Sequence, residues 1–107
     1  LIYDEILHLN PDDIEAMTYK ADALLEIGEV RWALNLSNIA IEYDDEYALA
    51  YWQRACAFAK LDKQTEALID LEKAIELSDT LQDELLNEKH FENLHDNKSF
   101  KILIPVS

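Results

Sequence analysis

The sequence predicts an all-α protein built as a solenoid of stacked antiparallel helix pairs. Apolar residues recur at helical spacing, while glycine (1) and proline (2) are scarce. The pattern also nearly repeats every 34 residues. Laying residues 14–47 over residues 48–81 brings alanine onto alanine repeatedly: Ala16 on Ala50, Ala21 on Ala55, Ala23 on Ala57, Ala33 on Ala67 and Ala40 on Ala74. One helical hairpin of this length cannot bury its own apolar face, so successive copies must stack to form a continuous core.

The first elements follow from apolar spacing and turn residues. Residues 1–9 carry apolar side chains at helical spacing and predict the end of a helix. The Asn-Pro-Asp-Asp sequence at 10–13 ends that helix, because proline cannot continue it and aspartate is a favourable N-cap for the next one. We expect the next helix over 14–27, a left-handed turn at Gly28, and a returning helix over 30–43.

The second copy predicts helices near 48–60 and 64–77. Asp62 takes the position that glycine holds in the first copy, and aspartate tolerates the left-handed conformation better than most residues do. The alanine-rich pattern is then lost. We expect one more helix over 81–94 and an atypical capping segment at the end, as terminal units of solenoids commonly have.

These elements predict a single domain over residues 1–107. It would contain the end of a preceding copy (1–11), two full copies (14–47 and 48–81), and a partial copy with capping helices (82–107). Because the first residues already read as the middle of a helix, we expect the sequence to be part of a longer protein.

The copies resemble the tetratricopeptide repeat (TPR) family, whose unit is a 34-residue helix–turn–helix. The family pattern has a small residue late in the first helix, glycine at the turn and two alanines in the second helix. The residues that match it are Ala21, Gly28, Ala33, Ala40, Ala55, Ala67 and Ala74. Asp62 departs from the turn glycine, and Asp45 and Asp79 depart from the terminal prolines. The resemblance covers most of the chain and implies a right-handed solenoid that binds other proteins.

The charge of the chain narrows the class of partner. The formal net charge is −14, from 23 acidic and 9 basic residues, and residues 1–50 hold 12 acidic against 2 basic residues. Nucleic-acid binding relies on clustered Lys and Arg, so nucleic acids and anionic membranes are disfavoured. A basic protein or peptide would be attracted, at a rate that falls with salt.

The motifs that the sequence lacks bear on its compartment and its chemistry. There is no recognisable signal peptide and no apolar run long enough to span a membrane, which favours a cytoplasmic location. The sequence shows no phosphate-binding glycine loop and no Ser or Cys nucleophile beside a histidine. His90 and His95 are five residues apart, which does not place them on one helical face as metal ligands. We therefore expect no enzymatic activity, no cofactor and no metal site.

The TPR resemblance implies a concave groove, lined by the first helix of each copy, that takes a peptide or protein segment. The groove candidates are Tyr19, Asp22, Glu26, Trp52, Gln53, Cys56 and Lys60. Tyr19 and Trp52 would anchor apolar parts of the ligand, and Asp22 and Glu26 would select Lys or Arg. Alternatively, the two aromatic residues pack against each other or against a neighbouring helix. A lone cysteine such as Cys56 is usually a small buried thiol, and we expect no redox role for it.

A second candidate surface lies on the predicted helix 30–43. Its outer side, away from Ala33 and Ala40, carries an apolar stripe that we call the outer stripe: Trp32, Leu36, Ile39 and Tyr43. One copy later the same positions hold Glu66, Asp70, Lys73 and Leu77. If exposed, the stripe predicts structural assembly, either as a homodimer or by docking to the rest of the chain, through Trp32, Leu36 and Ile39. The alternative is that the helix over residues 1–9 partly covers it.

Overall fold

A computed structural model describes residues 2–105, and those residues form helices and turns with no β-strand. The helices, in chain order, are α1 (Ile2–Leu9), α2 (Ile14–Glu26), α3 (Val30–Tyr43), α4 (Ala48–Lys60), α5 (Gln64–Leu77), the 3₁₀ helices η1 (Asp79–Glu84) and η2 (Lys89–Leu94), and α6 (Lys98–Leu103). The first five agree with the helices predicted from the 34-residue pattern. An all-α fold is therefore confirmed.

The two hairpins turn in the same way. Gly28 and Asp62 both have positive φ, at 85° and 60°. After Gly28 the Glu29 N–H donates to the Leu24 carbonyl at 2.8 Å, and after Asp62 the Lys63 N–H donates to the Phe58 carbonyl at 2.8 Å. This is the Schellman arrangement that closes a helix C-terminus. The left-handed turns predicted at both positions are confirmed.

Each of the first five helices packs against the next, and α2 also packs against α4. Small side chains let these helices approach closely: Ala21, Ala33, Ala55 and Ala67 have no exposed surface. Met17 forms a second, smaller cluster with Ala40 and Ala50 on the side of α1. The repeated alanines are thus the positions where helices meet, as their periodic spacing predicts.

The single helix predicted over residues 81–94 is wrong. The chain forms η1, a turn at residues 85–87, and η2 instead. Leu85 and Leu94 lie nine residues apart, which would place them on opposite sides of an α-helix. Breaking the helix lets both leucines enter the core, where they are fully buried together with Phe91 and Phe100. We call residues 79–103 the cap, because they close the end of the core beside α4 and α5.

Candidate functional site

The face of α4 that the TPR resemblance assigns to a peptide groove is covered by η2. Trp52 is only 6% exposed and packs edge-on against Phe91, with ring centroids 5.1 Å apart. Cys56 is fully buried. The prediction of Trp52 as an accessible anchor is therefore wrong, because the cap fills the space that a ligand would need. The alternative, that Trp52 packs against a neighbouring helix, is confirmed.

Three other groove candidates differ in how far they are exposed. Tyr19 is exposed on one side and its ring lies 5.9 Å from the ring of Tyr3. Lys60 is exposed at the end of α4. Gln53 is half-buried, and among residues 2–105 its side-chain oxygen has no hydrogen-bond partner. Ligand binding by these three residues stays a prediction.

The two acidic groove candidates differ in their partners. Glu26 is ion-paired with Lys89 of the cap, and the hydrogen bond from Lys89 lowers the pKa of Glu26. Burial raises the pKa of Asp22, and the nearby carboxylates of Glu88 and Glu26 raise it further. A basic ligand at Glu26 would therefore have to compete with Lys89.

The outer stripe is exposed over most of its length. Trp32 is 63% exposed, and Ile39 and Tyr43 are also exposed, while Leu36 is half-buried against the core. α1 packs against α2 and leaves Trp32, Ile39 and Tyr43 open to solvent. Beside the stripe lies an open depression of about 240 Å³, lined by Lys20, Leu24, Trp32, Asn35, Leu36 and Ile39. The depression and the stripe form one largely apolar surface.

A polar bridge on α4 marks one difference between the two copies. The Arg54 Nε and Nη2 atoms donate to the two carboxylate oxygens of Asp70, each at 2.8 Å, and Nη1 donates to Asn38 Oδ1 at 3.1 Å. One copy earlier, Lys20 takes the position of Arg54 and forms an ion pair with Asp4 of α1. Leu36 takes the position of Asp70. In the first copy the acidic partner therefore lies on α1, and the α3 position equivalent to Asp70 is apolar.

A cluster of three potential ligand atoms lies where the cap meets α4. Cys56 Sγ lies 3.5 Å from Glu88 Oε1, and His90 Nδ1 lies 2.9 Å from the same oxygen. The three atoms are all within 4.8 Å of one another. The other ring nitrogen of His90, Nε2, lies 4.0 Å from Glu26 Oε1. Burial raises the pKa of the Cys56 thiol well above its usual value, and Glu88 raises it further.

Sequence reasoning missed this cluster, because it judged His90 only by its spacing from His95. The 34-residue repeat does contain a signal for two of the three residues. Asp22, Cys56 and His90 follow one another at intervals of 34 residues and so hold the same position in successive copies. Equivalent positions of stacked repeats face the same side. No sequence feature indicates that the broken helix would bring Glu88 to this place as well.

Comparison with known protein families, with curated proteins and with solved structures gives no match. None of the helices between residues 2 and 105 combines the length and the hydrophobicity needed to cross a bilayer.

Proposed function

We propose that the chain is a TPR-type solenoid that binds another protein and catalyses no reaction. Two hairpins of equal helix lengths, α2–α3 and α4–α5, lie one period apart and close with the same turn geometry. Contacts run from each helix to the next, and α2 contacts α4, as expected when one hairpin stacks on another. Solenoids of this kind present extended surfaces to partners, and the surface must be identified from its residues.

The outer stripe is the favoured binding surface because it is exposed. Trp32, Ile39 and Tyr43 are large apolar side chains open to solvent along one helix, whereas Trp52, the favoured groove anchor, is covered by the cap. Large apolar patches on a protein surface commonly mark sites of interaction. Tryptophan is also one of the side chains enriched at the energetic centres of interfaces. The geometry therefore favours the outer stripe over the concave groove.

We assign to the stripe a partner segment with an apolar anchor flanked by Lys or Arg. The apolar anchor fits the depression beside Trp32, and the basic flanks would be attracted by the net charge of −14 that the chain carries as a whole. A second copy of this chain fits less well, since two chains that each carry a charge of −14 repel one another. Self-association is the competing outcome in the experiment below.

The test is a peptide-display selection on the 107-residue chain, followed by affinity measurements on variants. Peptides with an aromatic or aliphatic anchor and basic flanks should be selected. Trp32→Glu should weaken their binding by about 30-fold or more, the effect of losing a hot spot worth 2 kcal/mol. Ile69→Glu is the matched control. Ile69 is 62% exposed on α5, at the position one copy after Asn35, and its substitution should leave the affinity unchanged.

Two results would contradict this assignment. If the selected peptides bind Trp32→Glu as well as wild type but fail on Tyr19→Ala, the concave face is the binding surface. If sedimentation shows a dimer that Trp32→Glu converts to a monomer, the stripe serves self-association instead.

A further inference from the structure

We infer that Cys56, Glu88 and His90 form a binding site for a zinc ion. Together they offer a thiolate sulfur, a carboxylate oxygen and an imidazole nitrogen, and Zn²⁺ is bound in proteins by these three donor types. The three atoms already lie within 4.8 Å of one another without any metal to draw them together. The site joins α4 to the cap and shares no residue with the outer stripe.

Two of the three ligand-to-ligand distances are close to those of a tetrahedral ion. With zinc–ligand bonds of about 2.0–2.3 Å, the ligand atoms of a tetrahedral site lie about 3.5 Å apart for sulfur and oxygen and about 3.3 Å apart for nitrogen and oxygen. Cys56 Sγ and Glu88 Oε1 are separated by 3.5 Å, which needs no change. His90 Nδ1 and Glu88 Oε1 are separated by 2.9 Å, a hydrogen-bond distance. Seating the ion requires the Glu88 side chain to move away from the imidazole by a few tenths of an ångström. It also requires the ligand atoms of Cys56 and His90, which lie within 4.8 Å of one another, to be about 3.6 Å apart.

The proton balance of binding is simple. The Cys56 thiol, which donates to Glu88 in the metal-free protein, loses its proton to solvent as the zinc–sulfur bond forms. His90 binds through Nδ1 in its neutral form, with the remaining proton on Nε2. Glu26 Oε1 lies 4.0 Å from Nε2 and would accept that proton in a hydrogen bond only after approaching it by about 1 Å. A second carboxylate that orients a metal-bound imidazole in this way is common around zinc.

The surroundings of the three ligands also favour a dication. Asp22, Glu26 and Glu88 bring three carboxylates to a region where Lys89 is already paired with Glu26. Cys56 is fully buried and His90 is nearly so, which keeps competing water away from two of the ligands. Glu88 is partly exposed and lines a depression with Trp52 and Glu84, so this ligand is accessible from solvent. The fourth zinc ligand is then a water molecule.

The site is tested by titrating the 107-residue chain with Zn²⁺ against a chromogenic chelator. Wild type should bind one equivalent. Cys56→Ser and His90→Gln should each lower the zinc affinity by at least about 100-fold, since even outer-shell changes cost 10- to 100-fold. His8→Gln is the matched control. His8 is an exposed histidine on α1 close to Asp4 and Glu5, and it represents adventitious surface binding.

The outcomes separate cleanly. No saturable one-to-one binding by wild type would overturn the proposal, and so would binding that His8→Gln removes and Cys56→Ser keeps. Circular dichroism of each variant without metal shows whether it is folded. If Cys56→Ser fails to fold, Co²⁺ added to wild type decides the question. A tetrahedral d–d spectrum with a sulfur-to-cobalt charge-transfer band supports the site, and an octahedral spectrum without that band refutes it.

Discussion

Substituting Arg54 with methionine should destabilise the protein by about 3 kcal/mol, at the lower end of the range for breaking a buried ion pair. The Asp70 side chain is 3% exposed and receives two hydrogen bonds of 2.8 Å from the guanidinium, so its charge would be left buried without a partner. Arg54 is itself 25% exposed, which lets water approach the vacated position and keeps the loss near the lower end of the range. Methionine retains most of the packing of the arginine stem.

The double variant Arg54→Met/Asp70→Leu tests whether burial of the charge, rather than lost packing, causes the effect. Replacing a buried pair by apolar side chains of similar volume is often neutral or stabilising. Leucine also stands at the equivalent position of the first copy, as Leu36, so the repeat already accommodates it there. We expect the double variant to lie within about 1 kcal/mol of wild type or above it.

Urea unfolding followed by far-ultraviolet circular dichroism measures these differences, with equal m-values required for the comparison. Lys20→Met is the matched control. Lys20 forms the equivalent pair with Asp4, whose side chain is 46% exposed, and exposed pairs contribute at most about 1 kcal/mol. A loss below 1 kcal/mol for Arg54→Met, or a double variant as unstable as the single one, would refute the reasoning.

The pH dependence of stability provides an independent check on Arg54→Met. Burial raises the pKa of Asp70, and Arg54 opposes that rise. Without Arg54 the pKa in the folded state should rise further above the unfolded value. A group with a raised folded pKa stabilises the fold below its unfolded pKa, and this contribution is lost as the pH rises through the folded pKa. The deficit of Arg54→Met should therefore be largest near neutral pH and shrink as the pH falls to about 4.

Three further substitutions test the cap, the turns and a helix start. Phe91→Ala should cost about 3–5 kcal/mol and shift tryptophan fluorescence to the red, because it uncovers Trp52; an unshifted spectrum would contradict their contact. Gly28→Ala should lower stability by about 1 kcal/mol and Asp62→Gly should raise it by a similar amount, since both positions have positive φ; equal melting temperatures would exclude this strain. Asp13→Ala should cost about 1 kcal/mol in urea unfolding, because the Asp13 carboxylate accepts the Ala16 N–H at 3.0 Å; an unchanged midpoint would show that the cap is dispensable.

The helices α1 to α5 could be predicted because their signals are local. Apolar spacing sets each helix, and Gly28 and Asp62 set the turns with their own backbone preferences. The cap could not be predicted in the same way. Leu85 and Leu94 enter the core only if the helix between them breaks, and that choice is made by contacts with α4 and α5, which are distant in sequence.

The candidate site also has a part that local sequence predicts and a part that it does not. The outer stripe was predictable because its apolar character is visible in α3 alone, and comparison with Asp70 and its neighbours in the second copy isolates it. The prediction that Trp52 is an accessible groove residue was wrong. It was transferred from the TPR pattern, which assumes that each copy is followed by a similar one. Here the next copy is the cap, and its Phe91 fills the groove. The cluster of Cys56, Glu88 and His90 could not be predicted for the same reason, since Glu88 reaches Cys56 only because the helix is broken.

The cap also decides which of the two surfaces can be used. A peptide lying along α2 and α4 would have to part Phe91 from Trp52 and separate Glu88 from Cys56. An ion held by Cys56, Glu88 and the cap would oppose that opening, because it would add its binding free energy to the closed state. The outer stripe needs no such opening, since its side chains are already exposed. The two proposals therefore support each other: a zinc ion that fastens the cap to α4 would keep the groove closed and leave α3 as the face that partners reach.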